Sequence, residues 1–69
     1  MTLDEYRLQL GWSLAELARR TGVDVSTIRR AIEGQQIYKH TASSIANALS
    51  QGLGYKISYH DIDGLNVKD

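Results

Sequence analysis

The 69-residue chain has no cysteine, no proline and no phenylalanine, and only one methionine and one tryptophan. Without cysteine it has no disulfide, no thiolate nucleophile and no thiolate metal ligand. A chain near the lower size at which a domain folds alone must then rely on its helices for an apolar core. No apolar run approaches the roughly 18 residues of a membrane span. Asp4, Glu5 and Arg7 interrupt any apolar stretch that an N-terminal signal would need, so a reducing, cytoplasmic location is the expectation. A glycine-rich phosphate loop is also missing. The only histidines are His40 and His60, and the run His60-Asp61-Ile62-Asp63 offers fewer ligands than a metal site needs, so it reads as a solvated helix face. No enzyme, metal or cofactor is indicated.

Excess charge of either sign is absent too, with eight basic and eight acidic residues. Nucleic-acid binders are usually basic, but the distribution of charge matters more than its sum. Residues 19–40 hold Arg19, Arg20, Arg29, Arg30 and Lys39 against Asp24 and Glu33, while the segments on either side are net acidic. The positive face therefore coincides with one segment. Charged residues on helices are ordinarily just solvated; what stands in that segment decides the matter.

The chain carries a dense set of helix start and stop signals. Thr2 and Glu5 form a capping box, Leu3, Tyr6 and Leu10 give a first helix its apolar stripe, and Gly11 ends it. Ser13 and Glu16 form a second box, with Trp12 and Leu17 at hydrophobic-staple positions and Gly22 as stop. Asp24 is an N-cap for a third helix, Val23 and Ile28 staple it, and Gly34 follows it. Two short helices joined by so tight a turn cross steeply and leave the second one projecting, which is a helix-turn-helix.

A helical wheel divides the residues by face. On the second helix Leu14, Leu17, Ala18 and Thr21 point inward; on the third, Ile28, Ala31 and Ile32 do. Ser26, Arg30 and Glu33 then lie outward, with Val25 and Arg29 on one flank and Thr27 on the other. Val25 also continues an i, i+3, i+7 set with Ile28 and Ile32, so core packing is an alternative role for it. A fourth helix should start at His40 or Thr41, bury Ala42, Ile45, Ala46 and Leu49, and stop at Gly52 and Gly54. A short fifth follows, with Ser58 as N-cap, Ile57 and Ile62 as staple and Gly64 as terminator. Residues 55–59 alternate large and polar side chains and also fit a strand that pairs with its copy on another subunit. The expected fold is an all-α, compact five-helix bundle over residues 1–64, with residues 65–69 a short C-terminal tail and the last four free to fray.

This pattern resembles the Xre, Cro and lambda-repressor type of helix-turn-helix regulator. Leu17, Ala18, Gly22, Val23, Ile28 and Gly34 stand where that family's pattern wants them. The lac-repressor type shares the turn but begins with the motif itself, whereas a full helix precedes it here. The resemblance implies a sequence-specific double-stranded DNA-binding transcriptional regulator whose recognition helix, residues 25–33, enters the major groove. It makes Val25, Ser26, Thr27 and Arg30 candidate base contacts, Thr27 lying nearer the backbone in many members. The chemistry fits: arginine forks onto guanine, serine donates or accepts, and valine touches a thymine methyl. Candidate backbone contacts are Ser13 with the amides at its helix start, Arg29, Tyr38, Lys39 and His40.

Two positions depart from the family pattern. Leu14 replaces a frequent glutamine, and Ile32 replaces a glutamate that pairs with the arginine matching Arg7, leaving Arg7 to Glu33 or to phosphate. After the fourth helix Tyr55, Ile57, Tyr59, Ile62, Leu65 and Val67 are more apolar side chains than one short helix buries. Related regulators dimerise through this region, so Tyr59, Ile62 and Leu65 are candidate dimer contacts. A homodimer, weak in solution and tightened by DNA, would set two recognition helices about 34 Å apart on an inverted repeat. The rival within the family is a protein-interaction module, an antitoxin or an antagonist of another regulator, which suits a neutral net charge.

Overall fold

In the computed structural model, which describes residues 1–68, each of the first three helices begins where a side-chain oxygen takes up an amide that the helix leaves unpaired. Helix α1 (Leu3–Leu10) starts with a complete capping box: Thr2 Oγ1 accepts from the Glu5 amide at 3.2 Å, and Glu5 accepts from the Thr2 amide at 2.8 Å. Helix α2 (Leu14–Thr21) starts at Ser13, whose Oγ accepts from the Glu16 amide at 3.0 Å. Its box is only half made, because the Glu16 carboxylate turns forward to Arg19 and Arg20 instead of back to Ser13. Helix α3 (Val25–Ile32) starts at Asp24. Gly22, at φ 72°, makes the left-handed step between α2 and α3 that an L side chain rarely adopts.

The core lies where these helices meet the fifteen-residue α4 (Lys39–Leu53). Leu17 from α2, Ile28 from α3, and Ile45 and Leu49 from α4 are fully enclosed, and Leu3, Tyr6, Ala31, Ala42 and Ala46 close around them. The inward faces expected for α1 to α4 are therefore the buried ones, with Leu10, Leu14, Ala18, Thr21 and Ile32 half-buried at the margins. Among the described residues no charged side chain is buried in the core. None of the helices among the described residues is long and apolar enough to cross a membrane.

Beyond α3 the chain departs from an all-α, five-helix bundle. Residues 36–38, expected as loop, form strand β1 (Gln36–Tyr38), and residues 66–68, expected to fray, form strand β2 (Asn66–Lys68). The two pair in parallel, with Gln36 opposite Asn66, Ile37 opposite Val67 and Tyr38 opposite Lys68. Ile37 points into the core and Val67 packs half-buried against it, so burying one apolar side chain per strand ties the C-terminal segment down. The expected fifth helix is a single 3-10 turn (Tyr59–Asp61), although its N-cap Ser58 is as read. Residues 55–59 are not a strand: the Ser50 hydroxyl accepts from the Ile57 amide at 2.9 Å and fastens that segment to α4. Helix α4 begins at Lys39, earlier than expected, and continues through Gly52 to a stop at Gly54.

Candidate nucleic-acid interface

Helix α3 packs against the core through Ile28 and Ala31, which are 0 % and 2 % exposed, and this orients the rest of the helix. Ser26, Arg29, Arg30 and Glu33 are exposed, while Val25 and Thr27 are half-buried on its flanks. Val25 thus belongs wholly neither to the core nor to the surface.

Asp24 organises the start of α3. Its carboxylate accepts from the Ser26 hydroxyl at 2.5 Å, from the Thr27 hydroxyl at 2.8 Å and from the Thr27 amide at 3.2 Å. These hydrogen bonds, the one from the Ser26 hydroxyl foremost, favour the ionised form and hold the carboxyl at about 2. A hydroxyl has one proton to give. With both protons committed to Asp24, Ser26 and Thr27 present only acceptor lone pairs to anything outside, a restriction that sequence reading leaves open.

The positive surplus of residues 19–40 separates into neutralised and unpaired charges. Arg19 and Arg20 both bond Glu16, which lowers the carboxyl below the usual carboxylate range, and the Arg20 guanidinium also lies 4.7 Å from the centre of the Trp12 ring. Arg7, half-buried, pairs with Asp4 at 2.8 Å and donates to the Trp12 carbonyl at 2.9 Å, and does not pair with Glu33. Among the described residues Arg29, Arg30, Lys39 and Lys68 form no ion pair.

Of the candidate backbone contacts, Ser13 is exposed at the start of α2 with its lone pairs partly used by the Glu16 amide. Tyr38, 61 % exposed, ends β1 with its ring stacked on that of His40, centroids 5.6 Å apart and planes 8° from parallel. Lys39 and His40 are exposed at the start of α4. Arg30 and Tyr38 share the wall of a depression of about 200 Å³, with Gln36, Ile37 and Lys68. Lys68 escaped the sequence reading because nothing local in residues 66–69 distinguishes a strand from a tail.

The candidate dimer contacts are divided. Ile62 is 4 % exposed, packs into the core of its own protomer and forms part of the floor of an open depression. Ile57 is buried in the same way, which absorbs two of the six surplus apolar side chains. Tyr59 and Leu65 are half-buried around that depression of about 380 Å³, beside His60, Ile62, Asn66 and Val67. Asp61, in the run His60-Asp61-Ile62-Asp63, accepts from the Ser58 amide at 2.9 Å and caps the 3-10 turn.

A family model described as helix-turn-helix matches residues 3–59, which takes in all four helices and the turn between α2 and α3. No curated protein and no solved structure matches the chain. The start and stop signals, the buried face of α3 and the extent of that match agree, and the chain belongs to the Xre and lambda-repressor type of helix-turn-helix protein, a family of DNA-binding regulators.

Proposed function

We propose that this protein is a sequence-specific transcriptional regulator that lays α3 in the major groove of double-stranded DNA and binds an inverted repeat as a homodimer. The observation that carries the reading is the pairing pattern of the arginines: those of α2 are held by Glu16, whereas Arg29 and Arg30 of α3 are exposed and form no ion pair among the described residues. Arg30 is a donor only and suits the O6 and N7 acceptors of guanine. Ser26 and Thr27, their protons committed to Asp24, act as acceptors and suit the amino groups of cytosine or adenine. Val25 contacts a thymine methyl. Arg29, Lys39, Tyr38, His40 and Ser13, the last with the first amides of α2, hold phosphates, which sets the register of the helix. Tyr59 and Leu65 form the contact between protomers in the cytoplasm.

Selection of bound duplexes from a random DNA pool tests both parts together. The expected product is an inverted repeat with a guanine in each half-site and half-site centres about one helical turn, ~34 Å, apart. An asymmetric single half-site contradicts the homodimer. No enrichment at all contradicts sequence reading and favours the protein-interaction module, for which neutral net charge is the argument.

A further inference from the structure

We propose that Lys68 binds a backbone phosphate of duplex DNA, so that the C-terminal strand is part of the nucleic-acid interface. The proposal rests on the DNA-binding reading above and adds a residue, a strand and a site to it. Parallel pairing puts Lys68 directly opposite Tyr38, and its ammonium lies 5.7 Å from the centre of the tyrosine ring. The other face-to-face neighbour of that ring is His40. Lys68 also lines the depression of about 200 Å³ whose wall includes Arg30 of the recognition helix, together with Gln36 and Tyr38. Two cations, an amide and a phenol thus surround one concave site, and neither cation has an ion-pair partner among the described residues. The excess of donors suits an anion. The site adjoins the outward face of α3, so when that helix enters a groove the anion beside it is a phosphate of the flanking strand. A flexible lysine acts there as a point charge, and the tyrosine ring restricts where its stem can go.

The test is a salt titration of binding to heterogeneous genomic duplex DNA by the unmodified protein, Lys68→Gln and Lys68→Arg. Removing one phosphate contact should reduce the slope of log affinity against log salt by roughly one. Equivalently, the loss on Lys68→Gln should be roughly threefold greater at about 50 mM than at about 200 mM salt. Lys68→Arg keeps the charge and should retain the parent slope. Lys68→Gln with the parent affinity and slope overturns the proposal and leaves the DNA-binding reading intact. A loss of affinity at unchanged slope also overturns it, because Lys68 would then act by holding Tyr38 and β1 in place. An unmodified protein that fails to bind any duplex overturns both, and circular dichroism confirms that each variant keeps its helices.

Discussion

Asp24 accepts a hydrogen bond from the Ser26 hydroxyl at 2.5 Å in the turn before α3, joining the cap of that helix to a side chain proposed to read a base. One carboxylate therefore stabilises the helix and sets the hydrogen-bonding polarity of its first turn, since it also accepts from the Thr27 hydroxyl. A change at Asp24 should register in both properties.

The carboxyl of Asp24 lies at about 2 in the folded chain against 3.8 ordinarily, so the folded state holds the anion more firmly than the unfolded state. Its contribution to stability is full above pH 3.8 and is lost as pH falls through about 2. Glu5 and Glu16 are lowered as well and add to the same acid limb. Asp24→Asn should flatten that limb, because the replacement does not titrate, while still accepting from the Thr27 amide. Asp24→Ala should melt a few degrees lower at neutral pH, having lost the cap. Thermal melts by circular dichroism across the acid range check both. With the hydroxyl protons of Ser26 and Thr27 released, Asp24→Ala should also discriminate less between bases at the positions they read.

Gly52 concerns packing. It lies inside α4, where alanine would ordinarily favour the helix by about 1 kcal/mol. Here a Cβ would stand 2.7 Å from Cζ2 and 2.8 Å from Cη2 of Trp12, whose ring also carries the Arg20 guanidinium. Overpacking of this kind costs about 1–3 kcal/mol, so Gly52→Ala should lower the melting temperature despite its better helix propensity. Combining it with Trp12→Leu should remove the clash, and the double variant should lose less than the two single losses summed. The fluorescence of the single tryptophan should shift in Gly52→Ala as the ring is displaced.

Most of the helical frame was legible because its signals are local. Thr2 with Glu5, Ser13, Asp24 and Gly22 each act within one turn of chain, and the inward faces follow from a 3.6-residue period. That period alone puts Ile28 and Ala31 in the core and turns Arg30 outward, as the fold has them. What was illegible depends on contacts distant in sequence. Strands of three residues have too little alternation to declare themselves, and β1 finds its partner at the other end of the chain. The fifth helix stops after one turn where the backbone becomes extended at Ile62 and Asp63 bridges to Thr2, its amide donating to the Met1 carbonyl at 2.9 Å, a contact with the far end of the chain. Gly52 reads as a stop by the usual behaviour of glycine; its role in the fold, room for Trp12 and Leu10, comes from α4 meeting the end of α1 and the α1–α2 connection. The choice of Glu16 between Ser13 and the two arginines was likewise open, since both options lie within its reach.

The most direct test of α3 as the reader of duplex sequence compares Arg30→Ala with Arg29→Ala on the selected site and on a scrambled duplex, by competition binding at one salt concentration. Arg30→Ala should lose about 1–3 kcal/mol on the selected site, lose much less on the scrambled one, and stop distinguishing the base pair at one position. Arg29→Ala should weaken both duplexes alike. Unchanged affinity of Arg30→Ala for both duplexes would contradict the assignment of α3 as the reading helix.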